Sequence, residues 1–122
     1  HHRPVHAICV HLGLQEAHRQ RQLRSVCDLV NTFDPEEPVG VAGDFNDWRG
    51  RAHEVLRERA GLHEVFVQST GRAVRTFPAS MPLLALDRIY VRKAAVHTPL
   101  HLPKKPWDKL SDHAPLAAEI SL

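Results

Sequence analysis

Cysteine is scarce in this 122-residue chain, which contains only Cys9 and Cys27. Both lie in apolar stretches, so we expect two buried thiols in a reducing cytoplasm rather than a disulfide. No apolar run comes close to the roughly 18–20 residues of a membrane-spanning helix, and the first residues show no signal-peptide pattern. These features predict a cytoplasmic protein without a membrane span.

Several catalytic signatures are missing as well. The sequence has no glycine-rich phosphate-binding loop and no Gly-x-Ser-x-Gly motif, which argues against a kinase and against a serine hydrolase. Histidines outside the motifs described below show no paired spacing with cysteines, so a zinc site is not expected. The formal net charge of +2 permits an anionic partner without requiring one.

Apolar residues make up 43% of the chain, and their spacing predicts one α/β (α+β) domain over residues 1–122. A helical stripe from Leu23 to Phe33 predicts a helix over 15–33. A second helix is expected after a cap at Asn46 or Asp47, with Gly61 ending it. Short apolar runs predict strands at 5–10, 39–42, 62–67, 86–91, 94–100 and 116–122, with a shorter one at 75–77.

The most informative stretch is Gly43-Asp44-Phe45-Asn46, where the apolar run 39–42 ends in a carboxylate and a carboxamide. Such a turn presents its polar residues at the strand's carboxyl end, where ligands bind in open α/β sheets. Two further polar clusters lie beside predicted strands, Asp87 within 86–91 and Ser111-Asp112-His113 before the last strand. We interpret these clusters, together with His11, as converging on one phosphate and one divalent metal.

Phosphodiester hydrolysis needs an attacking water, a stabilised leaving oxygen and compensation of charge on the phosphoryl oxygens. A hard divalent cation held by carboxylates supplies the last two. An aspartate–histidine pair polarises the water or accepts its proton, and an asparagine amide orients a water or a phosphoryl oxygen. The set contains each of these components, which are His11, Asp44, Asn46, Asp87, Asp112 and His113.

Each of these residues also has a simpler interpretation when it is taken alone. Turns like the one at Asp44 are common after buried strands, and Asp87 could pair with Arg88 at a strand edge. Ser and Asp favour ordinary turns at 111–112, and a histidine such as His11 is typical of a core or sheet edge. The functional interpretation rests on their occurring together.

Five segments resemble the endonuclease/exonuclease/phosphatase family, which includes deoxyribonucleases, abasic-site endonucleases, inositol-phosphate phosphatases and sphingomyelinases. They are Val-His-Leu-Gly-Leu at 10–14, Gly-Asp-Phe-Asn at 43–46, Thr-Phe-Pro at 76–78, Leu-Asp-Arg-Ile-Tyr-Val at 86–91 and Ser-Asp-His-Ala-Pro-Leu at 111–116. The family fold is a four-layer α/β sandwich of two packed sheets flanked by helices. The resemblance implies that this chain is the C-terminal half of such a sandwich, with one mixed, mostly antiparallel sheet and two main helices.

The resemblance also implies roles for the matching residues. His11 would contact the scissile phosphate, and Asn46 would hold the phosphate or the water. Asp44 would orient or deprotonate the water, or handle the leaving group. Asp87 would support His113, which would act on the phosphate.

The cofactor that the resemblance implies is magnesium, with manganese as a substitute, and Asp44 and Asp112 would serve the metal site. The first half of a family domain carries an asparagine and a metal-ligating glutamate that lie outside this chain. Hydrolysis of phosphate esters, by a phosphodiesterase, nuclease or phosphatase, is therefore expected of a more complete enzyme. The alternative is a non-catalytic half-domain that binds phosphate ligands or a protein partner.

The implied half-sandwich has a physical consequence. Each sheet of such a sandwich buries one face against the other, and a half alone would leave an apolar sheet face in water. We therefore expect either a homodimer that packs sheet to sheet or association with the missing N-terminal half.

A basic loop before the last motif carries candidate substrate-binding residues. Trp107 lies among Lys104, Lys105 and Lys109, so the loop could hold a nucleic-acid backbone and stack a base. The alternative is a solvated loop whose tryptophan packs onto the body. Arg75 could contact a phosphate or form a surface ion pair. The expected partner is a phosphate-ester substrate, with nucleic acid among the candidates.

Overall fold

The computed structural model describes residues 4–94 and 96–121. Its elements in chain order are β1 (His6–His11), α1 (Glu16–Val30), β2 (Val39–Asp44), α2 (Ala52–Ala60), β3 (His63–Glu64), α3 (Val65–Thr70), β4 (Asp87–Arg92), β5 (Val96–Leu100), a 3-10 turn (Trp107–Lys109) and β6 (Ala117–Ser121). This is the α/β (α+β) composition that the sequence predicted, with two main helices. Within the described ranges, no helix is both long and apolar enough to cross a membrane.

Four strands form a mixed sheet in the order β1-β2-β4-β3. β1 runs parallel to β2, whereas β4 is antiparallel to both β2 and β3, so this sheet is mostly antiparallel as expected. β5 and β6 pair with each other in a separate two-stranded sheet, which corrects the expectation of a single sheet. Leu116 and Ala118 pack against the cluster of Val91 and Phe66, so the β5–β6 pair covers β4 instead of extending the sheet edge.

The two main helices form one core with the sheet. Leu23, Cys27 and Val30 of α1 are buried in the same cluster as Val41 of β2 and Leu56 of α2, as the helical stripe predicted. Burial of each large apolar side chain contributes about 1.5–3 kcal/mol. Burial also raises the pKa of the Cys27 thiol.

Asp47 fixes the start of α2. Its carboxylate accepts hydrogen bonds from the backbone N–H groups of Arg51 at 2.9 Å and Ala52 at 2.7 Å. The helix ends at Gly61, whose φ of 65° lies in the left-handed region. The predicted end at Gly61 is confirmed. The predicted cap at Asn46 or Asp47 is wrong, because Arg51 is the N-cap residue and α2 begins at Ala52, although the Asp47 carboxylate binds the first N–H groups from a distance in sequence.

The strand predicted at 62–67 is wrong beyond its first residues. Only His63–Glu64 pairs with β4. The Glu64 carboxylate accepts the N–H of Val67 at 2.9 Å and thereby starts α3. The strand expected at 75–77 is reduced to a bridge between Phe77 and Leu84. The strands expected at 94–100 and 116–122 form, except that residues 95 and 122 lie outside the described part.

The outer face of β1, which points away from the helices, is open to solvent. Ala7 and Cys9 are exposed on it, because the β5–β6 pair packs on β4 and β1 is at the sheet edge. The expectation of two buried thiols is therefore wrong for Cys9, whereas both cysteines are free as predicted. Ile8 and Val10 point to the other face and pack against the main core.

Gly43 allows β1 and β2 to approach closely next to the polar end of the sheet. Its φ is 142°, and a Cβ atom at this position would lie 2.0 Å from the carbonyl oxygen of Val10. Real Cβ atoms do not approach backbone oxygens this closely, so only glycine fits without moving β1.

Gly43→Ala is expected to lower the free energy of unfolding by about 3 kcal/mol or more, because the new methyl group must displace β1. Gly71→Ala is the matched control, since Gly71 also has a positive φ of 83° but nothing lies within 4 Å of its would-be Cβ. Backbone strain alone should cost the control about 1 kcal/mol. Urea unfolding measures the free energy of unfolding of both variants. Equal losses of stability would contradict the close approach of β1 to Gly43.

Candidate active site

The strand pairing places three polar side chains in one row. His11 of β1 lies opposite Asp44 of β2, and Asp44 lies opposite Asp87 of β4. Directly paired residues point to the same face of a sheet, about 5 Å apart. The row therefore crosses three neighbouring strands at the carboxyl ends of the parallel strands β1 and β2.

His113 reaches this row from the loop before β6. Its Nδ1 atom lies 2.6 Å from Oδ2 of Asp87, so Nδ1–H donates to the carboxylate. Nε2 of the same ring lies 3.9 Å from Oδ2 of Asp44. The aspartate–histidine contact expected from the sequence is present, and its catalytic role stays a prediction.

The charges of the row act on the protonation of His113. Partial burial on its own would lower the pKa of the imidazole. The hydrogen bond to Asp87, with the negative charges of Asp87, Asp44 and Asp112, outweighs burial and raises the pKa of His113 above its ordinary value. The imidazolium form of His113 is therefore more favoured at the site than in a free histidine.

Asp44 stands between two imidazole rings. Its Oδ2 atom lies 3.7 Å from Nε2 of His11 and 3.9 Å from Nε2 of His113, distances longer than a hydrogen bond. Asp44, Asp87 and His113 offer ligand-type atoms that all lie within 4.8 Å of one another. Opposite ligands of one Mg²⁺ ion are only about 4 Å apart, so these side chains would have to move slightly closer together to hold a small divalent cation.

Asn46 fixes the turn that follows β2. Its φ of 48° is left-handed, a conformation that Asn tolerates better than most residues. The backbone N–H of Asn46 donates to Oδ1 of Asp44 at 2.9 Å, and its side-chain amide donates to the carbonyl of Leu12 at 2.5 Å. Asn46 thus ties the end of β2 to the end of β1, and its contact with phosphate or water stays a prediction.

Trp107 adjoins the row, whereas Lys105 does not. Trp107 and Leu110 line a pocket of about 430 Å³ whose other walls include Asp87 and His113. Lys105 is exposed and lines neither this pocket nor the neighbouring pocket that borders Trp107. Trp107 is 37% exposed, which leaves both the substrate-binding role and the alternative of a tryptophan packed onto the body as predictions.

Arg75 and Asp112 lie near the site but outside its centre. Arg75 is exposed and lines a second pocket that also borders Trp107. Asp112 is exposed and does not belong to the group of three ligand-type residues found in the described ranges. The substrate role of Arg75 and the metal role of Asp112 stay predictions.

Arg88 forms an ion pair on the opposite face of the sheet from Asp87. Its Nη1 atom lies 3.0 Å from Oδ2 of Asp47, and both side chains are almost fully buried. Its other terminal nitrogen donates to the carbonyl of Ala85 at 2.8 Å. The simpler interpretation of Asp87 as the partner of Arg88 is therefore wrong, which leaves Asp87 available to His113.

Two contributors to the site were missed from the sequence. Thr76 is fully buried and donates its hydroxyl to Oδ2 of Asp87 at 2.6 Å. Asp47 joins the polar turn to Arg88. Alternation along β4 could have indicated that Arg88 needs a buried partner, but no local pattern indicates which residue it meets.

Asp87→Asn is expected to lower the pKa of His113 in the metal-free chain. Burial lowers this pKa, and the negative charge of Asp87 that counteracts burial is then removed. A histidine with a raised folded-state pKa stabilises the fold below its ordinary value of 6.5 and loses that contribution as the pH rises through the raised pKa. In Asp87→Asn this pH dependence of the unfolding free energy should shrink.

NMR titration of the His113 ring measures the pKa directly, and urea unfolding at several pH values measures the stability. Asp28→Asn, on an exposed position of α1, is the control and should change neither. An unchanged His113 pKa in Asp87→Asn would refute the assignment of the shift to Asp87.

Comparisons with known proteins identify similar chains. No protein-family model matches the sequence. The chain is 56% identical to the uncharacterized protein YbhP of Escherichia coli over 118 residues, which are 97% of this chain and 47% of YbhP. It is 32% identical over 121 residues to a UPF0294 protein of Vibrio cholerae, covering 97% of this chain and 38% of that protein. The chain thus spans about half the length, or less, of the curated relatives it matches.

Solved structures share the fold. A humanized D. rerio TDP2 with 14 mutations has a TM-score of 0.65 and 25% identity, covering 95% of this chain and 54% of that chain. D. rerio TDP2 complexed with single strand DNA product has a TM-score of 0.65 and 22% identity, covering 93% of this chain and 54% of that chain. The human Nocturnin catalytic domain with bound sulfate anion has a TM-score of 0.56 and 18% identity, covering 93% of this chain and 46% of that chain. The chain therefore has the fold of about half of each of these structures.

Proposed function

We propose that this chain belongs to a metal-dependent phosphohydrolase of the endonuclease/exonuclease/phosphatase family and carries the catalytic part of its C-terminal half. The observation that carries the proposal is the row of His11, Asp44 and Asp87 with His113 hydrogen-bonded to Asp87. This arrangement combines a carboxylate–imidazole pair with a second carboxylate, which are the groups that phosphoryl hydrolysis requires.

The comparisons support the substrate class. The TDP2 structure contains a single strand DNA product, and the Nocturnin structure contains sulfate, a tetrahedral oxyanion like phosphate. Extended to this chain, these ligands favour a phosphodiester, with nucleic acid as one candidate. The free thiols of Cys9 and Cys27 agree with a cytoplasmic location, which is part of the proposal.

The mechanism assigns each step to a side chain of this chain. Asp87 holds the His113 ring through Nδ1–H, so that Nε2 can donate a proton to a phosphoryl or leaving oxygen. The raised pKa of His113 favours the protonated ring that this donation needs. Asp44 orients and deprotonates the attacking water, His11 contacts the phosphate, and Asn46 steadies the turn that presents Asp44.

Magnesium is the proposed cofactor, with manganese as a substitute. Asp44 and Asp87 would hold it, since hard cations prefer carboxylate oxygens, and Asp112 would assist from the neighbouring loop. When bound, the ion supplies positive charge that offsets the phosphoryl oxygens and the leaving group.

The experiment measures magnesium-dependent hydrolysis of bis(p-nitrophenyl) phosphate by the complete gene product. Asp44→Asn and His113→Ala should each reduce kcat/KM about 100-fold or more, because each removes a proton-transfer or water-orienting group. Chelation of the metal should abolish turnover.

Asp28→Asn and His63→Ala change the same residue types at exposed positions away from the row and should leave the rate unchanged. Wild-type rates in Asp44→Asn and His113→Ala would sink the proposal. Hydrolysis by the complete product but not by this 122-residue chain would favour the alternative, in which this part alone only binds phosphate ligands or a partner.

We also propose that two copies of the 122-residue chain pack through the open outer face of β1. Ala7 and Cys9 are exposed there, and a groove lined by Val5, Val91 and Ile120 runs beside them. Burying this apolar face against a second copy would remove it from water.

Sedimentation equilibrium of the chain at micromolar concentration should give a dimer. Cys9→Glu should shift it to monomer, because the exposed face would then carry charge at its centre, and Ser25→Glu on the exposed side of α1 should not. A well-folded monomer of the unsubstituted chain at the same concentration would rule out the dimer.

A further inference from the structure

Residues 76–79 lie between α3 and β4, and their backbone holds the loop that carries His113. The carbonyl of Thr76 accepts the N–H of Ala114 at 2.7 Å, and the N–H of Ala79 donates to the carbonyl of Asp112 at 2.6 Å. These bonds attach the residues on both sides of His113. Residues 111–116 belong to no helix or strand, so such attachments fix where the loop lies.

Side chains of the same segment contact the Asp87–His113 pair. The ring centroid of Phe77 lies 5.0 Å from that of His113, with 50° between the ring planes. The buried hydroxyl of Thr76 donates to Oδ2 of Asp87 at 2.6 Å, the same oxygen that accepts Nδ1–H of His113. The hydroxyl also accepts the backbone N–H of Asp87 at 3.2 Å. One hydroxyl therefore fixes both the backbone and the carboxylate of Asp87.

We infer that Thr76 is a positioning residue, whose hydroxyl acts through Asp87 to orient the His113 ring toward the substrate. The consequence for turnover rests on the proposed function, whereas the orientation of His113 rests on the hydrogen bonds alone. Phe77 and the two backbone bonds place the His113 loop, and the Thr76 hydroxyl adds the rotational constraint. A carboxylate without this donor can rotate, and the imidazole that it holds rotates with it.

Two substitutions of Thr76 separate the hydroxyl from the packing. Thr76→Val keeps the shape and removes the hydroxyl, whereas Thr76→Ser keeps the hydroxyl and removes a methyl group. In the complete gene product, kcat for bis(p-nitrophenyl) phosphate should fall about 10-fold in Thr76→Val with little change in KM. Thr76→Ser should recover most of this loss, although it leaves a small cavity.

Thr32→Val is the matched control, because it removes a hydroxyl that donates to a carbonyl at the end of α1. It should leave kcat and KM unchanged. Equal kcat values for Thr76→Val and Thr76→Ser would overturn the inference, since the hydroxyl would then have no effect of its own.

A second readout does not depend on turnover. In the metal-free 122-residue chain with ¹⁵N-labelled histidine, the Nδ1–H resonance of His113 should be sharp in the wild type and in Thr76→Ser. It should broaden or disappear in Thr76→Val. An unchanged resonance in Thr76→Val would refute the positioning role even in an active enzyme. If the resonance responds as expected but the unsubstituted protein hydrolyses no phosphodiester, the positioning role holds and the proposed function fails.

Discussion

The pairing of β2 with a strand on each side is the constraint on which the site depends. The backbone register puts Asp44 directly opposite Asp87. The two side chains do not attract each other. Two like charges in directly paired positions destabilise a sheet, so this row needs positive charge beside it. A slip of one residue between β2 and β4 would remove the conflict, because Asp87 would then point to the helical face. Backbone hydrogen bonds beyond the row hold the register of β2 and β4. One example is the bond from the Phe45 N–H to the Leu86 carbonyl at 2.8 Å.

The nearest arginine does not supply that positive charge. Arg88 follows Asp87 directly, but alternation along β4 turns it to the other face, where Asp47 neutralises it. A buried arginine left without a carboxylate would be strongly destabilising, so Arg88 is committed to Asp47 and to the start of α2. The excess negative charge of the row must therefore be offset by His113 and by the cation that we propose there. The hydrogen bond to Asp87 and the nearby carboxylates raise the pKa of His113.

The sequence pattern correctly predicted the features that are determined by residues close together in the chain. Helical spacing indicated α1, Gly61 marked the end of α2, and the polar turn after 39–42 lies where predicted. Predictions failed where a distant or competing contact decides. Glu64 starts α3 by capping Val67, which ends the strand expected at 62–67. The partners Asp47–Arg88 and Thr76–Asp87 are separated by 41 and 11 positions, and no periodicity encodes such pairs. Cys9 was expected in the core because an apolar neighbourhood does not reveal which face of the strand is covered.

The open face of β1 and the polar row belong to one surface. Ala7, Cys9 and His11 alternate onto the same face, and residues two apart on a strand are separated by about 7 Å. Any polypeptide that covers Cys9, whether a second copy or another segment, must therefore come close to His11, whose side chain is 80% exposed. Trp107 and Leu110 already form one wall of the site, and a covering chain would form the wall opposite to them. Such a wall would exclude water from the row and strengthen each electrostatic interaction in it, so assembly over β1 and the chemistry of the site are physically coupled.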